Sequence, residues 1–312
     1  LTDDDLISLL AHELVHVYRQ RNGRHSTGRA VLSDLDRDWH SASTALLEGE
    51  AEFLSAALSR ALPGLPVVRH GRVRGGVTFG GDTAAEPRVF YEMPKFIYET
   101  GAEFIVYMHR AWGLAGHSRA FADPPRSTEQ ILHPHKYCTE RPDDPTVVRG
   151  GDPSKFLGAG YTKLDVSVLG EWTIRTMFLQ TLEAPVAEGA ASGWDGDRCH
   201  LFSGPDDRLL VTIASVWDSS DDARAFADAW LTWAAKRDGG EWMATAGETQ
   251  VLRTSDGTVA LQVKGAWVFL ADGFGAEDPG LLLDVVGNVS HYVRTALDAR
   301  RDRYAAAAAD AR

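Results

Sequence analysis

The residues best equipped for chemistry lie near the start of the sequence. His12-Glu13-Leu14-Val15-His16 places two imidazoles four positions apart around a carboxylate. On a helix, positions i and i+4 stack on one face, so both rings can reach a single metal ion. Glu13 points about a quarter-turn away, near enough to act on a metal-bound water without competing as a ligand. Zinc lowers the pKa of such a water to roughly 7, and a neighbouring glutamate then serves as general base. With 11 histidines in 312 residues, composition alone yields this pattern roughly 0.02 times per chain.

A catalytic zinc takes three protein ligands and leaves a fourth position open. Leu46-Leu47-Glu48-Gly49-Glu50-Ala51-Glu52 offers the missing carboxylate, with Glu48 and Glu52 on one helical face. The elements that must position these groups can be read from patterning. Thr2-Asp3-Asp4-Asp5 starts a helix, and Leu6, Leu9, Leu10, Leu14 and Val17 predict a buried stripe along it. A second helix is expected from about Asp38 to Leu62, with Trp39, Ala42, Leu46, Phe53, Leu54 and Leu58 apolar; Pro63-Gly64 ends it.

Short β-like pieces follow at Val67-Val68, Val77-Thr78-Phe79 and Val89-Phe90-Tyr91, then a third helix from Pro94 to Trp112. Ser127-Thr128-Glu129-Gln130 is a capping box that opens a short helix. Residues 138–160, rich in Pro, Gly and Asp, mark the best internal boundary. Beyond them a helix is expected over Val166–Leu182, a turn at Gly193–Asp197 and strands at Cys199–Phe202 and Leu209–Val216. A helix over Ser220–Arg237 follows, then strands at Thr249–Arg253, Thr258–Val263 and Ala266–Leu270, and a helix from Pro279 to about Ala299. Two β-rich stretches, each closed by a helix, suggest an α+β sandwich and a degenerate duplication. The Ala-rich tail from Ala305 reads as a fraying helix end.

His-Glu-x-x-His on one helix and Glu-Gly-x-Ala-x-Glu on the next resemble the gluzincins, the thermolysin-like zinc metallopeptidase group. The resemblance implies that Glu48 is the third zinc ligand and that Glu52, four residues on, orients a ligand histidine. The interval from His16 to Glu48 is longer than in the best-known members, which leaves Glu50 and Glu52 as alternative ligands. Pro125–Tyr137 and Gly193–Arg198 are similar to segments of uncharacterised bacterial gluzincin-like proteins. Gluzincins place a β-sheet before the active helix, and its edge strand holds an extended substrate. Here the motif begins at residue 12, so that sheet either belongs to a removed N-terminal segment or is replaced by strands at 65–92.

A peptidase also needs a donor for the developing oxyanion. Tyr98, His133 and Tyr137 are candidates, with Tyr137 and His133 ranked first. Asp195 and Asp197 around Gly196 are turn formers before they are calcium ligands. Trp217, Trp230, Trp233, Trp242 and Trp267 are expected in the core rather than on a substrate platform. Cys138 and Cys199 either form one bridge or remain two thiols. A net charge of −12 without a basic block argues against nucleic acid or an anionic membrane surface as partner. The longest clean apolar run, Leu209–Trp217, is too short for a membrane span.

The sequence therefore predicts an α+β protein, with a mostly helical zincin-like catalytic domain over 1–150 and an α+β accessory domain over 151–312. Its expected activity is that of a zinc-dependent metalloendopeptidase acting on a peptide or protein substrate. His12, His16 and Glu48 would bind Zn2+, and Glu13 would act as base. A cleaved N-terminus and a secreted or cell-envelope setting fit that expectation. The alternative is a catalytically silent metal-binding scaffold of the same fold.

Overall fold

The computed structural model describes residues 3–21, 36–61, 87–243, 249–254, 257–275 and 278–293. It has the expected α+β composition, helical in its N-terminal part and built on a β-sheet in its C-terminal part. The described residues fall into two compact units, the first holding 3–21, 39–61 and 87–143 and the second holding the remainder.

The first unit consists of helices. Helices α1 (Asp3–Arg21) and α2 (Arg37–Ala61) carry the candidate metal ligands. Helix α3 (Val89–Pro94) runs through a π-helical turn, Lys95–Thr100, into α4 (Gly101–Ala122). The expected strand at Val89–Tyr91 is therefore the first turn of a long helix, because so short an apolar run does not distinguish the two periods. The expected strands at Val67-Val68 and Val77–Phe79, and the Ala-rich tail, lie outside the described residues. Helix α5 (Thr128–Leu132) is capped as predicted, with Ser127 Oγ accepting from the Gln130 amide at 3.2 Å, and α6 (Pro134–Tyr137) follows.

Helix α1 packs by the face opposite to the one its leucines predict. Leu6, Leu9, Leu10, Leu14 and Val17 are exposed, Leu14 by 63%, whereas Ser8, Ala11, His12 and Arg19 are buried. The buried set still repeats at helical spacing; it is drawn inward by charge partners rather than by apolar area. Helices α2 and α4 touch backbone to backbone, since a Cβ on Gly49 would fall on the peptide group of Gly101 and one on Gly101 would fall on the Ala45 carbonyl. Phe96, Phe104, Ile105 and Met108 are buried with Leu46 of α2 in the apolar part of this unit.

The second unit opens with β1 (Thr146–Gly150), α7 (Ser154–Leu157) and β2 (Thr162–Ser167). Helices α8 (Gly170–Phe178) and α9 (Ala184–Ala191) lead to β3 (Trp194–Ser203), β4 (Leu209–Trp217) and α10 (Ser220–Asp238). Then come β5 (Glu241–Met243), β6 (Thr249–Thr254), β7 (Gly257–Lys264), β8 (Trp267–Phe274), α11 (Pro279–Val286) and β9 (Val289–Val293). Seven strands form one antiparallel sheet in the order β2-β3-β4-β8-β7-β6-β5, and β1 pairs separately with β9.

Several boundaries differ from expectation for local reasons. The helix predicted from Val166 begins at Gly170, and its expected first residues end strand β2. Gly193, at φ +77°, is the only positive-φ residue of the predicted 193–197 turn, and Trp194 already starts β3. Asp195 accepts from the Thr146 hydroxyl, and buried Asp197 accepts from the Leu169 and Gly170 amides and the Trp194 indole, so both carboxylates are engaged by protein donors. Burial raises Asp197 to about 6 against the pull of those N–H groups. The last helix stops at Val286, where Gly287-Asn288 turns the chain into β9.

One apolar layer packs α8, α9 and α10 on Ile213, Val268 and Leu270; the other packs α11 on Ala214, Phe269 and Ala271. A two-fold axis relating antiparallel neighbours β4 and β8 would set the two closing helices on the same face. Among the described residues they lie on opposite faces. Trp217 and Trp230 are core residues, as expected. Cys138 and Cys199 are free thiols. No helix among the described residues is long and apolar enough to cross a membrane.

The contact of Gly49 with Gly101 leaves no room for adjustment by side-chain rotation. Gly49→Ala is expected to lose about 3 kcal/mol or more of unfolding free energy, measured by urea denaturation followed in the far ultraviolet. Gly189→Ala in α9, where a Cβ meets nothing within 4 Å, should be neutral or stabilising by up to about 1 kcal/mol.

Candidate metal centre

Three side-chain donors converge between α1 and α2. His12 Nε2 stands 3.0 Å from Glu48 Oε2, and His16 Nε2 stands 3.1 Å from His12 Nε2 and 3.3 Å from Glu48 Oε2. Zinc bonds of about 2.0–2.1 Å in tetrahedral geometry separate neighbouring donors by about 3.3 Å. The three observed distances match one face of such a tetrahedron, and two imidazoles with one carboxylate are a donor set that zinc accepts. The helix spacing brings the two rings together at 4.8 Å between centroids, edge to face.

Glu52 lies one turn beyond Glu48, with its Oε1 3.3 Å from His12 Nδ1. A carboxylate there favours the tautomer with the proton on Nδ1, leaving Nε2 free to ligate. Without metal, burial disfavours charge on His12, but Glu48 and Glu52 outweigh it and raise its pKa to about 9. Contacts with His12 and His16 likewise overcome burial at Glu48 and lower it to about 2.

Glu50, the carboxylate between these two, faces away from the donor cluster and is fully buried. Arg19 grips it through Nε and Nη2, and His117 Nδ1 lies 3.0 Å from its Oε1. These contacts hold Glu50 below the usual carboxylate range despite its burial. His117 in turn meets His109 at 3.2 Å, across the α4 kink at Gly113 (φ +59°), and Phe53 packs against both rings. The Arg19 guanidinium also lies 4.2 Å from the centre of the Phe121 ring. Of the alternative ligands, Glu50 thus serves as a clamp between α1, α2 and α4, and Glu52 as the partner of His12.

Glu13 is exposed. The expected oxyanion donors are placed differently from their ranking. Tyr137 is buried against Phe104 and donates its hydroxyl proton to the Asp123 carbonyl at 2.5 Å. His133 stands at the junction of α5 and α6 with its ring beside His135, and is not one of the three converging donors. Tyr98, on the π-helical turn, has its ring 6.1 Å from that of His12. Burial, then the charges of Glu48, Glu52 and Glu13, raise its phenol above the ordinary value, so it stays protonated near neutral pH. Of the three candidates it is Tyr98, ranked below the other two, whose ring lies near the cluster, and nothing in the sequence marks the π-helical turn on which it sits.

A family model described as a domain of unknown function (DUF8575) matches residues 161–283. No curated protein and no solved structure matches the chain. The similarity to that family lies wholly in the second unit, from the start of β2 into α11, and does not reach the His12–His16–Glu48 cluster.

The three glutamates of α2 should separate by experiment. Glu50→Gln strands Arg19 in the interior and is expected to cost about 3–5 kcal/mol of unfolding free energy. Glu52→Gln should leave the fold intact while weakening zinc binding about 10- to 100-fold, measured by competition with a chromophoric chelator.

Proposed function

We propose that the first unit is the active centre of a zinc-dependent hydrolase of gluzincin type that acts on peptide bonds. The observation that carries this proposal is the convergence of His12, His16 and Glu48 at tetrahedral donor spacing, with an exposed Glu13 on the same helix. His12, His16 and Glu48 would hold the metal. When bound, zinc supplies Lewis acidity, which acidifies water and polarises a carbonyl.

The chain's own groups have separable tasks. Glu13 takes the proton of the attacking water onto its carboxylate and delivers it to the departing amine. Glu52 holds the His12 ring in register through Nδ1. Tyr98, a phenol that burial and then the neighbouring carboxylates hold above its ordinary value, donates a hydrogen bond to the oxygen on which negative charge develops. Tyr137, engaged by Asp123, has no part in this scheme.

A second reading, a metal-binding scaffold without hydrolytic activity, draws on one observation. The described residues of the first unit are helices and loops, with no strand edge against which an extended peptide could pair.

Two variants decide between these readings. The unaltered chain is expected to hold one equivalent of zinc and to cleave members of a peptide library. Glu13→Gln should keep the zinc and lose activity about 10²- to 10⁴-fold; undiminished cleavage would overturn the mechanism, and no cleavage by any form would favour the scaffold. Tyr98→Phe should lower kcat about 10²- to 10³-fold with the metal retained, while Tyr137→Phe should leave kcat unchanged.

A further inference from the structure

The second unit contains a cleft of about 1010 Å³ between its sheet and the helices on one face. Its floor crosses four strands in register, Asp165 of β2 opposite Leu201 of β3, Leu201 opposite Val211 of β4, and Val211 opposite Asp272 of β8. At normal strand spacing that row spans about 14 Å. Met177 of α8 and Trp230 and Trp233 of α10 form the opposite wall. The cleft is thus apolar through its centre and long enough for an extended small molecule.

The charges of the lining are nearly all committed. Arg37 pairs with Asp165 at 2.6 Å. Arg237 pairs with Asp238 and, at 2.9 Å, with Asp272, which also accepts from the Trp230 indole at 3.0 Å. Arg237 in addition covers the Trp233 ring at 4.4 Å. Arg208, at the end of the β3–β4 connection, is exposed and is the one cation of the lining without a carboxylate partner among the described residues. The floor, the wall and Arg208 all fall inside the span that matches the DUF8575 family.

We propose that this cleft binds a small amphiphile with an apolar body and a single anionic head. The head sits on Arg208, and the body lies between the Leu201–Val211 floor and the Trp230–Trp233 wall. The anionic sign follows from the lining itself: an ammonium head would meet carboxylates already paired with arginine, whereas a carboxylate meets a guanidinium that has no carboxylate partner among the described residues. The site is independent of the metal centre and stands or falls without it.

The test is calorimetric titration of the full chain with three probes of one tail length: decanoate, decanol and decylammonium, all below their aggregation concentrations. Decanoate is expected to bind saturably, one per chain, at least tenfold more tightly than the other two. Arg208→Ala, an exposed position that keeps the fold, should weaken decanoate at least tenfold and leave decanol unchanged. Thr173→Trp, which projects a ring into the cleft from α8, should abolish binding of both while keeping the unfolding midpoint. Equal affinity for decanoate and decanol, a preference for decylammonium, an unaltered decanoate affinity in Arg208→Ala, or no saturable binding would each overturn the proposal.

Discussion

Helix α2 carries carboxylates at three alternate positions, 48, 50 and 52, and all three are buried or nearly so. An unpaired carboxylate in a protein interior costs several kcal/mol, so each must find a positive or hydrogen-bonding partner. Glu48 and Glu52 share one face of the helix while Glu50 points to the other side, so Glu50 needs partners of its own. Helix α1 answers Glu48 and Glu52 with His12 and His16, and Glu50 with Arg19 one turn later. Helix α4 adds His117, and its approach depends on two glycines where the helix backbones meet. The metal-type donor cluster and the buried clamp are thus two halves of one solution to a single electrostatic demand.

That demand explains which parts of the first unit could be read from sequence. Spacing of four on a helix is a geometric statement, so His12 could be placed against His16, and Glu48 against Glu52, before any tertiary contact was known; that the two pairs meet was implied only by the resemblance. The leucine stripe of α1 was misleading because apolar periodicity assumes that area decides which face turns inward. Here the polar face is held by charge, and the leucines stay outside. Arg19 had a visible signal in its position three residues after His16 on the same face. His109 and His117 had none, since eight residues separate them and only the kink at Gly113 lets their rings meet.

In the second unit the strand pattern was legible wherever apolar residues ran in short segments bounded by turns, as for β4, β6, β7 and β8. It failed where a turn-forming sequence had its polar groups engaged from elsewhere. Gly-Trp-Asp-Gly-Asp reads as a turn in isolation, yet its aspartates accept from Thr146 and from the start of α8, and the segment becomes a strand. The cleft was unreadable for the same reason. Its walls come from β2, β3, β4, β8, α8 and α10, and no local pattern announces that Trp230 and Trp233 both line it.

The pairing of β4 with β8 joins the two meanders of the sheet, with Val211–Val216 set against Trp267–Asp272. Strand β4 is rich in Leu, Val and Ile and is buried along most of its length. As the polypeptide emerges from the ribosome, β3 and β4 can zip together early, but the other side of β4 has no hydrogen-bonding neighbour until the whole second meander has been made. During that interval an apolar strand edge is open to any chain that can pair with it. A message truncated before Trp267 would leave this edge permanently unpaired, so premature termination there would yield aggregate rather than a smaller folded product.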